Sequence, residues 1–158
     1  MDGHLPEALG APSRIDQLPA DAPVSIVLCV LNEQRHLEQA VRHALDQDHA
    51  GQLQMVIALG PSKDHTDQIA ERLAQADSRI TLVRNPDAKG STPAGLNAAI
   101  AETKYPVVVR IDGHSMLPRD YVRVAVETMR ETGADNVGGV MAAEGETPFE
   151  QAVAAAMT

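Results

Sequence analysis

Asp112 and His114 flank a glycine in the segment Arg110 to Ser115 (RIDGHS), directly after an apolar run. A carboxylate oxygen and an imidazole nitrogen at that spacing can converge on one divalent cation. The mixed oxygen and nitrogen pair suits Mn²⁺ better than Mg²⁺, which prefers an all-oxygen shell with retained water. Two ligands leave room for water and substrate phosphate oxygens, as when a metal screens a diphosphate leaving group. The same three residues also read as an ordinary Asp-Gly turn beside an exposed histidine. Asp64, in Gly60 to Thr66 (GPSKDHT), can accept hydrogen bonds from the N–H groups of a nucleobase, or cap the helix that follows it. Lys89, in a loop rich in Gly and Ser, can pair with a phosphate or remain a solvated surface lysine. Asn32 and Glu33 can fix a base or ribose, or simply start a helix. His36, His43 and His49 fall on an exposed helix face or its end and read as solvated.

These residues need elements to position them. Five short apolar runs begin near Val24, Leu53, Ile80, Pro106 and Asn136, with helical patterns between them, which predicts successive βα units. Val24 to Val30 (VSIVLCV) is continuously apolar, as a strand buried on both faces must be, and Val107 to Ile111 reads the same way. Leu37, Ala40, Val41, Ala44 and Leu45 recur at helical spacing, and Ile69 and Leu73 mark the next helix. Thr92-Pro93 reads as an N-cap followed by proline at the first helical position. A fourth helix after Pro118 buries Tyr121, Val122, Ala125, Val126 and Met129 and ends at Gly133. The expected fold is α/β, a mostly parallel sheet flanked by helices. In such sheets ligands bind outside the carboxyl ends of the strands, where the polar clusters above fall.

Composition narrows the functions. The chain has 158 residues with 22 acidic and 13 basic side chains, a formal charge of -9 that repels a phosphate backbone. Nucleic acid is excluded as a partner. Aromatic residues make up 2% of the chain and there is no Trp, so a sugar must be held mainly by polar contacts. Walker, G-x-G-x-x-G and G-x-S-x-G motifs are missing, which removes the common phosphate-loop, dinucleotide and hydrolase readings. The single cysteine, Cys29, lies in an apolar run and reads as a small core residue in a reducing, cytoplasmic compartment. Residues 1–22 carry acids and prolines and read as a loose tail ahead of one domain over 23–158. No stretch approaches the roughly 20 apolar residues of a membrane-spanning helix.

Taken together, Val24 to Glu33 (VSIVLCVLNE), Gly60 to Thr66, Asn85-Pro86, Gly95-Leu96-Asn97, Arg110 to Ser115, Pro118 to Tyr121 (PRDY) and Gly133 to Gly139 (GADNVGG) resemble the family 2 glycosyltransferases, particularly the bacterial succinoglycan-biosynthesis type. The resemblance implies a GT-A, Rossmann-like fold, a nucleoside-diphosphate sugar as donor (a UDP-sugar favoured), a divalent metal (Mn²⁺ or Mg²⁺), and a glycan or lipid-linked acceptor. By position it implies Asn32 and Glu33 beside the nucleoside, Asp64 on the base, and Lys89 and Asn97 near ribose and phosphate. Asp112 and His114 occupy the family's D-x-D position, Asp112 near ribose or metal and His114 as metal ligand in place of the second aspartate. Ala58-Leu59 stands where an acidic pair is common, which shifts base contact towards Asp64.

Transfer to a hydroxyl also needs a general base. In relatives that carboxylate lies in a later acceptor-binding half, and Glu144, Glu146 and Glu150 are the acids near the end of this chain; none is assigned. Thr147-Pro148-Phe149-Glu150 opens a capping-box helix that stops a few turns on, so the chain is expected to be the donor-binding portion of a longer enzyme, membrane-associated in its full-length form. The alternative is a nucleotide-binding or regulatory domain that lost transfer with the acceptor half.

Overall fold

The structure is a computed structural model that describes residues 18–139 and 147–157. Strands β1 (Val24–Val30), β2 (Leu53–Leu59), β3 (Ile80–Arg84) and β4 (Val107–Arg110) form one sheet in the order β3-β2-β1-β4, every pair parallel. Helices α1 (Leu37–Leu45), α2 (Thr66–Ala76), α3 (Thr92–Ala101), α4 (Tyr121–Thr132) and α5 (Pro148–Met157) complete the described elements. This is the α/β, mostly parallel architecture that the strand and helix periodicities predict.

Alternation along β1 splits its side chains between two layers. Val24, Ile26, Leu28 and Val30 join Met55, Ile57 and Leu59 of β2 in a core closed by Leu37, Val41 and Ala44 of α1, Ala70 of α2, and Val122 and Val126 of α4. Val27, Val56 and Ala58 face the other way and pack with Cys29, Val83 and, from α3, Leu96 and Ala99. Burial of full-sized side chains on both sides of β1 and β2 explains why their sequences are continuously apolar. Cys29 takes its expected place among small core residues, and burial pushes its thiol pKa up.

At the opposite end of the strands from the polar loops, Gln54 satisfies three partners. Its Oε1 accepts the Ser25 hydroxyl at 2.9 Å and the Lys104 N–H at 2.8 Å, while its Nε2 donates to the Glu102 carbonyl at 3.0 Å. The buried side chain thereby ties β1 and β2 to the turn between α3 and β4.

Several expectations change. Among the described residues β4 is the end strand of the sheet, with Val107 and Val109 buried but Val108 41% exposed; α3 packs mainly over β1, β2 and β3. Of the strand expected near Asn136 only residues 136–139 are described; they carry no strand pairing, and Gly139 passes close to the ring of Tyr121. The rest of that run, with Glu144 and Glu146, lies outside the described residues. Proline in α3 follows Thr92 as expected, but Ser91 is the N-cap, so Pro93 takes the second helical position. His49 is buried rather than solvated, its Nε2 2.7 Å from the Ala22 carbonyl, and the His43 ring lies 3.2 Å from the Leu117 carbonyl. Leu18 packs on the core and Ala22 is fully buried, so packed structure reaches back before the expected boundary at Pro23. Residues 1–17 lie outside the described residues. Gly133 ends α4 as expected, at φ 68°, the left-handed conformation that glycine adopts without strain. Among the described residues no helix is long and apolar enough to cross a membrane.

Candidate functional site

The order β3-β2-β1-β4 places a topological switch point between β1 and β4, since the chain leaves β1 in one direction for β2 and later returns to its other side. Loops at the carboxyl ends of those two strands border the crevice where open α/β sheets take ligands. Asn32 and Glu33 follow β1; Asp112, Gly113 and His114 follow β4.

The loop after β1 is bound to the loop after β2 by backbone and side-chain hydrogen bonds in both directions. Asn32 donates its N–H to Ser62 Oγ at 3.1 Å, and its Oδ1 accepts the Lys63 N–H at 2.8 Å. Glu33 N–H reaches Thr66 Oγ1 at 2.8 Å, Gln34 N–H reaches Asp64 Oδ2 at 3.2 Å, and Gln34 Oε1 accepts the His65 N–H at 3.2 Å. Asn32 adopts φ 58°, the left-handed region that asparagine tolerates better than most side chains. Its amide oxygen stabilises the neighbouring loop while the backbone turns.

Asp64 holds the start of α2 as well as this junction. Its Oδ1 accepts the Thr66 N–H at 3.0 Å and the Thr66 hydroxyl. The Thr66 hydroxyl, followed by the N–H groups of Thr66 and Gln34, holds the Asp64 carboxyl below the usual aspartate range, against a smaller opposing effect of desolvation. The capping role is therefore realised. A carboxylate has about four acceptor positions, so these bonds leave Asp64 capacity for a further donor.

Gly90 brings the loop after β3 to the same end. At φ +77° it lies where an added Cβ would come 3.0 Å from Leu31 Cδ2 and 3.1 Å from Pro61 Cδ. Lys89 is exposed in that loop, its N–H on Asp87 Oδ1 at 2.7 Å. Asn97 is exposed on α3, and no hydrogen bond among the described residues ties it to these loops.

After β4 the chain makes a turn, with Ser115 N–H on the Asp112 carbonyl at 3.0 Å and Asp112 N–H on Ser115 Oγ at 3.2 Å. Asp112 Oδ1 pairs with Arg110 at 3.1 Å, while His114 Nδ1 lies 3.2 Å from Glu33 Oε1. The turn reading and the ligand reading of this segment are thus compatible. Among the described residues no three His, Cys, Asp or Glu side chains gather as a closed metal cage. The available donors are an exposed carboxylate and an exposed imidazole whose second nitrogen faces a carboxylate. That set fits a cation sharing its shell with water and ligand phosphates. The sequence reading missed the Glu33 to His114 contact and the use of Gln34 and Thr66 as ties, because each spans residues far apart in sequence.

Residues 25–155 match the profile of Glycosyl transferase family 2. The chain belongs to that family. It is 35% identical over 141 residues to succinoglycan biosynthesis protein ExoA of Rhizobium meliloti, a match covering 88% of this chain and 42% of that protein. Among solved structures, the mannosyltransferase PcManGT from Pyrobaculum calidifontis in complex with GDP-Man and Mn²⁺ aligns with a TM-score of 0.59 and 26% identity, over 67% of this chain and 32% of that one. Staphylococcus aureus TarS in complex with UDP aligns with a TM-score of 0.63 at 14% identity, over 77% of this chain and 39% of that one. This family 2 chain therefore has the GT-A fold and spans less than half the length of each of these proteins.

Proposed function

We propose that this family 2 chain is the donor-binding portion of a glycosyltransferase that moves a sugar from a nucleoside-diphosphate sugar, a UDP-sugar in the favoured reading, to a glycan or lipid-linked acceptor. The observation that carries the proposal is the joining of the loops after β1, β2 and β4 at the switch point through Asn32, Glu33, Asp64 and His114. Family membership supports it, as does the GDP-Man and Mn²⁺ complex of a structural relative.

In this reading Asn32 and Asp64 border the nucleoside, with the remaining acceptor capacity of Asp64 directed at a base N–H. Lys89 and Asn97 approach phosphate and ribose from the loop after β3 and from α3. Asp112 and His114 would hold Mn²⁺ or Mg²⁺, which would neutralise charge on the diphosphate leaving group. Arg110, paired with Asp112, limits the freedom of that carboxylate. The acceptor and the general base belong to the longer enzyme of which this is the donor half, and association with a membrane belongs there too.

Calorimetric titration of UDP and GDP with and without Mn²⁺, repeated on His114→Ala, tests this. Metal-dependent binding that is lost in the variant, with the circular dichroism unchanged, supports the site and selects the base. Folded protein that binds neither nucleotide rejects it.

A further inference from the structure

Glu33 and His114 meet across the switch point, one from each bordering loop, with Glu33 Oε1 3.2 Å from His114 Nδ1. The two side chains are unequally exposed, 22% for Glu33 and 63% for His114, so an enclosed carboxylate holds an open ring. Gly113 sits against that carboxylate. A Cβ added there would come 3.0 Å from Glu33 Cγ, 3.4 Å from Glu33 Cδ and 3.1 Å from Val30 Cγ1. The glutamate backbone is fixed as well, through its N–H on Thr66 Oγ1 at 2.8 Å. Glu33 is therefore held at its backbone by Thr66, lies close to Gly113 along its side chain, and meets the imidazole at its carboxylate.

We propose that Glu33 is a positioning residue for His114, selecting the tautomer with the proton on Nδ1 and presenting the Nε2 lone pair to a divalent cation. The proposal rests on the metal-dependent donor-site reading above, and it moves Glu33 from the expected nucleoside contact to a role exercised through His114. A neutral imidazole carries one N–H and one lone pair, so donation from Nδ1 leaves Nε2 as the ligand atom. A carboxylate on the far nitrogen fixes the tautomer and orients the ring as a ligand. The glycine between Asp112 and His114 then has a steric reason: a side chain there would crowd the Glu33 Cγ that carries the orienting carboxylate.

The test uses the full 158-residue chain. Mn²⁺ affinity is measured by electron paramagnetic resonance, and the His114 tautomer by long-range ¹H–¹⁵N correlation without metal, at about pH 8, above the ordinary histidine range. Wild type should show the Nδ1–H pattern. Glu33→Ala should lose that preference and weaken Mn²⁺ binding about 10- to 100-fold. Glu33→Gln, whose side-chain oxygen still accepts from Nδ1–H, should keep the tautomer and lose less affinity. Gly113→Ala should disturb both readouts without altering either interacting group. An Nε2–H pattern in wild type overturns the proposal, as does Glu33→Ala with unchanged Mn²⁺ affinity while His114→Ala loses it. Loss of metal-free UDP binding in Glu33→Ala at unchanged Mn²⁺ affinity overturns it in favour of a nucleoside contact. Folded wild type that binds neither Mn²⁺ nor UDP nor GDP removes the donor-site reading itself, and this proposal with it.

Discussion

A single side chain at the carboxyl ends of the strands can serve both a structural and a proposed ligand role, and Asp64 shows how the two combine. Its carboxylate accepts from the Thr66 hydroxyl and from the Thr66 and Gln34 N–H groups, and those bonds, the hydroxyl's first, depress its pKa. A depressed carboxyl contributes stability that is fully present above its unfolded pKa, about 3.9 for aspartate, and lost as pH falls through the folded value. Acidification below about pH 4 should therefore loosen the junction between the first two loops. Amide shifts of Thr66 and Gln34 followed by NMR should move together in that range, while those of buried β1 residues hold. Asp64→Ala should release the same two amides at neutral pH and weaken nucleotide binding. Unchanged nucleotide affinity in a folded Asp64→Ala chain would confine this residue to capping.

Elements set the precision of the site through close packing. Helix α3 approaches β1 at Gly95, where a Cβ would overlap the Cys29 sulfur and come within 2.8 Å of Asn85 Nδ2. Asn85 Nδ2 also donates to the Ser91 carbonyl at 2.9 Å, so the same contact anchors the loop that carries Lys89. Gly95→Ala should cost about 1–3 kcal/mol through overpacking, in spite of the better helix propensity of alanine. Urea denaturation gives that difference, and a stabilised variant would show that α3 shifts freely. At the other end of the sheet, Gln54→Leu would take the acceptor from the buried Ser25 hydroxyl, which keeps only the Tyr105 N–H, and would remove the side-chain partners of the part-buried Lys104 N–H and Glu102 carbonyl. A loss of about 1–3 kcal/mol is expected from groups left unpaired on burial. Nucleotide affinity should stay unchanged, because Gln54 lies at the end of the strands away from the site.

At the scale of the whole molecule, ligand and stability are linked. If UDP or GDP with Mn²⁺ binds the folded chain and not the unfolded one, ligand at 100 times its Kd adds about 2.7 kcal/mol. Thermal denaturation should rise with nucleotide plus Mn²⁺ and return to the ligand-free midpoint on adding EDTA. A midpoint that ignores all three additions argues against the metal-dependent site. The continuous apolar run of β1 and the helical repeat of α1 were legible in the sequence because burial fixes residue type along one element at a time. The ordered motifs from Val24 to Gly139 likewise carried the family resemblance, because they preserve chemistry at the ends of strands. Local pattern was insufficient for Val107 to Ile111: apolar throughout, the segment gave no sign that β4 stands at the edge of the described sheet with Val108 uncovered. His49 looked solvated at a helix end, yet it is buried against the Ala22 carbonyl from an earlier segment. The sequence by itself determined which polar residues are candidates for binding and, Asn97 on α3 apart, which strand each follows. Only the tertiary structure decided that Glu33 meets His114 and that Asp64 holds Gln34, since parallel pairing places side by side loops that are far apart along the chain.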